Sequence, residues 1–220
     1  MVIPKGGELR VLADELFLIG WDTTASGKPR MHLQGIELGL AGALIAELVI
    51  AGCVAVRGST LGVRDGTPAA EEATSRILAE MRGLPQHSDV RTWLVYLARR
   101  AVAEVGGRMV LAGLLTREEP KFFKRQQSRF HATDSGAAAW PRTRLHMALT
   151  RWQPLTPDDM ALVAFVEACG MTAVVVQDPA ERRAARRHLT AVLAALPQPI
   201  ADLARHVEAA TGDAVLTYRT

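Results

Sequence analysis

The amino-acid sequence predicts a mainly α protein that folds as a single domain over residues 1–220. Hydrophobic residues make up 49% of the chain and charged residues 22%, a balance typical of a folded globular protein. Aromatic residues make up only 5%, whereas alanine, leucine, valine and arginine dominate, which favours helices with aliphatic faces. A chain of 220 residues is also long enough to bury one substantial core.

The longest apolar stretch, residues 35–56, predicts the central helix of this fold. Two carboxylates, Glu37 and Glu47, interrupt it. A carboxylate costs roughly 2.5 kcal/mol or more at the centre of a bilayer, so a buried core helix over residues 35–51 is favoured over a membrane span. Gly52 is then the expected glycine stop of this helix.

Apolar spacing and turn residues divide the rest of the chain into shorter elements. These are a short helix or strand before a turn at 22–27, a strand at 53–56, a hairpin at 57–67, and helices at 67–82, 88–115, 143–152, 156–169, 178–196 and 200–210. A weak point in the 88–115 helix is expected at Gly106 and Gly107. The elements predict a central helical bundle surrounded by amphipathic helices, with short peripheral β-hairpins.

The motifs that catalysis or metal binding would need are missing from the sequence. Six histidines are scattered without ligand spacing, and the motifs of hydrolases and of nucleotide-binding and dinucleotide-binding proteins are absent. Cys53 and Cys169 each lie in an apolar run and are interpreted as buried, reduced thiols. Residues 1–10 contain no apolar signal segment. We therefore expect a cytoplasmic protein that is not an enzyme and needs no metal or cofactor.

Positive charge is concentrated between residues 121 and 151, where seven lysines and arginines accompany one carboxylate. Three of the five phenylalanines lie at the start of this segment, among four cations. Aromatic rings with basic neighbours suit an anionic membrane surface, at about 1 kcal/mol per cation. The same composition also suits nucleic acid, by stacking and phosphate contacts, or a solvated loop whose rings fold back onto the core.

Three stretches, taken in order, resemble the Golgi phosphoprotein 3 family and its bacterial relatives. The first is the acidic and apolar segment 12–20, followed by Gly39-Leu40-Ala41-Gly42 and a helix that continues to Glu47-Leu48 and Gly52. The second is residues 111–116, similar to the family's segment before its membrane-facing hairpin. The third is Arg144-Leu145 through Trp152 and residues 162–164, similar to the two helices after that hairpin. Together these stretches span most of the chain.

The resemblance implies a mainly α fold and a peripheral membrane protein that recognises phosphatidylinositol-4-phosphate. The family's headgroup pocket uses a Trp before the Gly-Leu-x-Gly helix, an Arg at its x position, and two Arg three residues apart on a later helix. In this sequence, His32 and Ala41 occupy the first two positions. Arg99 matches the first later Arg, Val102 stands at the second, and Arg100 is adjacent.

The first hypothesis is therefore a peripheral protein of the cytoplasmic membrane face that binds anionic phospholipid. Its headgroup residues would be Arg99, Arg100, His32 and Arg30. Its membrane-inserting hairpin would consist of Lys121, Phe122, Phe123, Lys124, Arg125, Arg129 and Phe130. The alternative is a protein–protein adaptor or a self-associating scaffold without lipid specificity, and a homo-oligomer would form through the same hairpin. Nucleic acid is not the expected partner.

Overall fold

The structure is a computed structural model that describes residues 11–64, 72–118 and 128–217. The helices in these ranges are α1 (Leu12–Gly20), α2 (Leu33–Ile50), α3 (Glu72–Gly83), α4 (Val90–Leu111), α5 (Ser135–Thr150), α6 (Pro157–Ala168), α7 (Thr172–Val175), α8 (Pro179–Ala194) and α9 (Gln198–Thr217). Two antiparallel hairpins accompany them, β1 (Val54–Arg57) with β2 (Thr60–Val63), and β3 (Leu115–Glu118) with β4 (Arg129–Ala132). The predicted mainly α class with short hairpins is confirmed.

Helix α2 lies at the centre of the bundle. It packs against α1, α4, α6 and α9, and the side chains of Leu40, Leu44 and Ile45 are at most 1% exposed. Among the described helices, α2 has the length and composition to cross a membrane, yet 67% of it is buried inside the protein. This burial supports the prediction of a core helix.

The Gly-Leu-x-Gly motif of α2 allows neighbouring helices to approach closely. A methyl group at Gly42 would clash with Val207 of α9 and would lie 2.8 Å from Cε1 of Phe165 in α6. A methyl group at Gly39 would clash with Sγ of Cys169. Ala41, between the two glycines, is fully buried. Small side chains are therefore required here by packing.

Two buried arginines join α1 to the helices around it. Arg108 of α4 donates to Asp14 of α1 at 2.7 Å and to both carboxylate oxygens of Glu47 in α2, at 3.2 and 3.3 Å. Burial disfavours the charge on Arg108, but Glu47 and Asp14 outweigh this effect and raise its pKa above the ordinary value. Glu47 also accepts a hydrogen bond from the backbone N–H of Ala13. The start of α1 is thus fixed to both α2 and α4.

The second arginine, Arg144 of α5, makes the equivalent connection on the other side of α1. Two of its nitrogens donate to the two oxygens of Glu15, at 3.0 and 2.8 Å. Its Nε donates to Asp159 of α6 at 2.9 Å. Only 11% of the Arg144 side chain is exposed. Consecutive carboxylates of α1 therefore face different helices, and each is paired with an arginine.

Several element boundaries differ from the sequence-based expectation. Helix α4 runs unbroken through Gly106 and Gly107 and ends at Leu111. Helix α5 begins at Ser135, well before the expected residue 143, because the carboxylate of Asp134 accepts hydrogen bonds from the first backbone N–H groups and caps the helix. Gly52 ends α2 in the left-handed region as expected, with φ of 74°. The expected start of α3 at residues 67–68 lies outside the described residues.

We predict that Gly42→Ala lowers the free energy of unfolding by about 1–3 kcal/mol, because the added methyl group forces α2 away from α6 and α9. Urea denaturation followed by circular dichroism measures this change. Gly212→Ala in α9 is the control, since a methyl group there meets open space and should leave stability unchanged or raise it by up to about 1 kcal/mol. Equal losses in the two variants would contradict the packing explanation.

We also predict that Arg144→Met destabilises the fold by about 3–5 kcal/mol, because Glu15 and Asp159 would keep buried charges without a cation. The matched control is Arg91→Met. Arg91 pairs with Asp213 at 2.6 Å, but both side chains are more than half exposed, so the expected loss is below about 1 kcal/mol. Thermal and urea unfolding of both variants compare the two losses, and a small effect of Arg144→Met would refute the prediction.

Candidate functional site

The β3–β4 hairpin is attached to the turn that connects α1 with α2. Backbone N–H groups of Phe130 and Ala132 in β4 donate to the carbonyl oxygens of Gly27 and Thr23, at 3.1 and 2.9 Å. A Cβ atom at Gly27 would lie 2.6 Å from Nε2 of His131. Since Gly27 has φ of 67° and no side chain, it lets β4 approach the turn. The hairpin and the turn form one continuous structure.

Phe130 anchors this hairpin in the core. Its ring makes edge-to-face contacts with Phe17 and Trp21 of the α1 region, with centroids 5.3 and 5.6 Å apart. On its other side, the ring covers Gly106 of α4, where a Cβ would lie 2.6 Å from Cε1 of Phe130. Only 1% of Phe130 is exposed. Its assignment to the membrane-inserting residues is therefore corrected, because the ring fills a space that Gly106 leaves open.

The connecting turn holds Arg30 beside the hairpin. Arg30 forms an ion pair with Asp22 at 2.9 Å, and its backbone N–H donates to the carbonyl of Gly20. The backbone N–H of Ser26 chiefly lowers the pKa of Asp22, with help from the Ser26 hydroxyl and from Arg30. Nε of Arg30 is buried without a hydrogen-bond partner in the described part of the chain. The guanidinium thus keeps one unsatisfied N–H.

Charged side chains of both signs, with cations in excess, surround this junction. Arg117 of β3 lies over the ring of Phe130, 5.9 Å from its centroid, and donates to Ser128. Glu118, next along β3, lies 3.7 Å from His131. Asp22 and Glu118 are the carboxylates placed here by these contacts. We define the hairpin-base surface as the cationic and histidine side chains of the turn and the hairpin: Lys28, Arg30, Arg117, Arg129 and His131.

The other expected headgroup residues occupy different surroundings. Arg100 is engaged by α3, since its guanidinium bonds to Glu80 at 2.5 Å and lies over Tyr96. Arg99 is exposed and lies seven residues before Gly106, which places it about two turns away on the same face of α4. His32 is exposed at the start of α2, where its charge opposes the burial that raises the pKa of Glu37.

The structure therefore brings together only part of the set expected from the sequence. Arg30 and Arg129 lie at the hairpin base, whereas Arg100 faces α3. Lys121, Phe122, Phe123, Lys124 and Arg125 lie outside the described residues, between β3 and β4. Sequence reasoning missed Lys28 and Arg117, because the basic segment was counted only from residue 121. It missed His131 because only lysines and arginines were counted. The signal available for Lys28 was its position directly after the glycine that ends the predicted 22–27 turn.

We next consider metal binding and thiol chemistry in the described ranges. No group of three or more histidine, cysteine or carboxylate side chains there could hold a metal ion. Both cysteines are buried, and burial raises the pKa of the Cys169 thiol to about 12. A neutral, enclosed thiol is a poor nucleophile.

The apolar helix α2 is enclosed by other helices, and the β3–β4 hairpin is attached to the turn that precedes it. These features define a class of mainly α protein with a charged peripheral hairpin. The family model described as Golgi phosphoprotein 3 (GPP34) matches residues 12–211. The chain therefore belongs to the Golgi phosphoprotein 3 family, and the resemblance of its motifs is confirmed. A search of the curated proteins finds no match.

We predict that Gly106→Ala displaces the hairpin and lowers stability by about 1–3 kcal/mol, because the methyl group would enter the ring of Phe130. Near-ultraviolet circular dichroism should report the altered contact between Phe130 and Trp21. Gly107→Ala is the control on the same helix, since a methyl group there meets open space. It should be neutral or stabilising by up to about 1 kcal/mol. Unchanged aromatic signals in Gly106→Ala would contradict the anchoring role of this contact.

Proposed function

We propose that this protein binds anionic phospholipid at the cytoplasmic face of a membrane, through the hairpin-base surface and the segment 121–125. The observation that supports the proposal is the attachment of the β3–β4 hairpin to the turn before α2. Arg30 lies in this turn, and Arg117 and Arg129 lie on the two strands of the hairpin. Membership of the Golgi phosphoprotein 3 family supports a role in lipid or protein interactions. The proposed role is docking without catalysis.

The physical basis of docking is a combination of charge and apolar contact. After Glu118 and Glu119, the chain becomes basic again at Lys121, Lys124 and Arg125. Each cation near an anionic surface contributes about 1 kcal/mol. Phe122 and Phe123 would enter the boundary between headgroups and acyl chains. Phe130, five residues after Arg125 in the sequence, would then hold the inserted segment to the core.

A finer proposal concerns the headgroup. Phosphatidylinositol-4-phosphate presents phosphate oxygens that suit the paired N–H groups of arginine. Arg99 is exposed on the face of α4 that leads to Gly106 and Phe130. Arg30 is a weaker candidate, because its Nε is buried and its terminal nitrogen pairs with Asp22. His32 is exposed just before the first residue of α2. Arg100 is a weaker candidate because Glu80 already binds its guanidinium.

We predict that the triple variant Lys121→Glu, Lys124→Glu and Arg125→Glu lowers affinity for anionic vesicles by roughly a hundredfold, since it reverses three charges at the proposed contact. Co-sedimentation with phosphatidylcholine vesicles containing phosphatidylserine or phosphatidylinositol-4-phosphate measures this. Binding of the unmodified protein should weaken as salt is raised.

The control for this experiment reverses three exposed arginines of α8: Arg183→Glu, Arg186→Glu and Arg187→Glu. It makes the same change in net charge on another element and should retain most of the binding. Equal, negligible pelleting of the unmodified protein with neutral and anionic vesicles would overturn lipid docking. Self-association that is lost in the hairpin variant would then favour the adaptor or scaffold alternative.

A further inference from the structure

A cleft between α5 and the connection from α7 to α8 is lined by side chains of opposite charge. Its volume is about 370 Å³, within the range of roughly 300–1,000 Å³ that is typical of small-molecule sites. Arg142 and His146 line it from α5, Asp178 and Glu181 from the start of α8, and Val174 from α7. The cleft is therefore large enough for a small molecule and presents charges of both signs together with an apolar wall.

The walls of this cleft are fixed by contacts to the backbone. Asp178 accepts hydrogen bonds from the first backbone N–H groups of α8, at 2.8 Å. These bonds chiefly lower the pKa of Asp178, and the charges of Arg183 and Arg182 contribute less. Arg182 itself donates to two carbonyl oxygens of the connection from α7 to α8. Across the cleft, Nδ1 of His146 lies 3.3 Å from the carbonyl oxygen of Val175.

The opposite charges that line the cleft do not satisfy each other. Arg142 is half-buried, yet it forms no ion pair with a carboxylate in the described part of the chain. One oxygen of Asp178 receives both capping bonds, and the other accepts none from the described residues. Glu181 lies 4.0 Å from Nε2 of His146, at the limit of an ion pair. A guanidinium and two carboxylates thus face the same space with hydrogen-bonding capacity unused.

We propose that this cleft binds a small zwitterion, a molecule with a primary ammonium group and a carboxylate or phosphate group. The ammonium group binds Asp178 and Glu181, and the anionic group binds the guanidinium of Arg142. Val174 contacts the hydrocarbon part of the molecule. A ligand with one charge leaves the opposite side of the cleft unmatched, so both charges are required. The site involves α5 and α8 and does not depend on the lipid docking proposed for the hairpin.

The first test measures whether both charges of the ligand are needed. Leucine is compared by isothermal titration calorimetry with isocaproate, which lacks its ammonium group, and with isoamylamine, which lacks its carboxylate. We expect each analogue to bind roughly tenfold more weakly than leucine, because each loses the charge-assisted hydrogen bonds on one side of the cleft. Phosphoethanolamine is compared in the same way with ethanolamine and with methyl phosphate.

Either zwitterion can support the proposal, since a carboxylate and a phosphate suit arginine equally in chemistry. Saturable binding of leucine or phosphoethanolamine that exceeds the binding of both its analogues is the expected result. Absence of binding by both zwitterions would overturn the proposal. Binding of a zwitterion that is no tighter than that of one of its analogues would overturn it as well.

The second test assigns the two charges of the ligand to the two sides of the cleft. Arg142→Gln and Glu181→Gln should each weaken binding of the zwitterion roughly tenfold. Arg142→Gln should leave the weak binding of the amine unchanged, and Glu181→Gln should leave that of the acid unchanged. Arg187→Gln is the control, since Arg187 is exposed on α8 and does not line the cleft. Thermal unfolding confirms that each variant is folded, and an equal loss in Arg187→Gln would contradict the assignment.

A free zwitterion and a lipid headgroup are distinguished by competition with the bound zwitterion. Displacement by vesicles that contain phosphatidylethanolamine assigns the cleft to a headgroup, whereas displacement by soluble phosphoethanolamine alone assigns it to a free molecule. Both results support a zwitterion site. Arg142→Gln should leave pelleting with phosphatidylserine vesicles unchanged, so failure of the cleft and failure of the hairpin docking are separate outcomes.

Discussion

The pairing of two buried arginines with the carboxylates of α1 is the interaction on which the other features of the structure depend. Arg108 and Arg144 approach α1 from α4 and α5, and they bind the adjacent residues Asp14 and Glu15. Buried ion pairs add little net stability compared with apolar packing, but they allow few alternative arrangements. A shift of α1 by one residue would move one carboxylate into the place of the other and leave one of the two arginines without its partner in α1.

The position of α1 in turn determines where the basic surface lies. Trp21 follows α1 directly, and its indole N–H donates to the carbonyl of Gly27 at 2.8 Å. This bond closes the 22–27 turn, which then receives β4 through Thr23 and Gly27. Phe130 inserts between this turn region and Gly106 of α4. The hairpin is therefore positioned by the core, while its charged side chains lie at the periphery.

The sequence predicted the elements whose signals are local. The apolar run with Gly52 at its end predicted α2, and Thr156 followed by Pro157 predicted the start of α6, where the Thr156 hydroxyl accepts from the N–H of Asp159. Features that depend on contacts between residues far apart in the sequence were missed. Gly106 was interpreted as a weak point of a helix, since nothing local shows that a phenylalanine 24 residues later needs the space.

The candidate site was predictable only in part, because it too depends on contacts between residues far apart in the sequence. A count of charges along the chain identifies Arg129, but it cannot show that β4 brings this residue beside the 22–30 turn. Conversely, Phe130 has a cation beside it in the sequence, as Phe122 and Phe123 do. Only its contacts with Phe17 and Trp21 show that it is buried.

The burial of Phe130 has a mechanical consequence for the β3–β4 hairpin. Force applied to the outer part of the hairpin passes through β4 to a ring enclosed by α1 and α4. Moving that ring outwards would open a cavity beside Gly106 and expose the face of Trp21, both of which cost free energy. Lateral drag or tension on the hairpin would therefore be resisted by the core of the whole domain, rather than by the hydrogen bonds of a two-stranded ribbon.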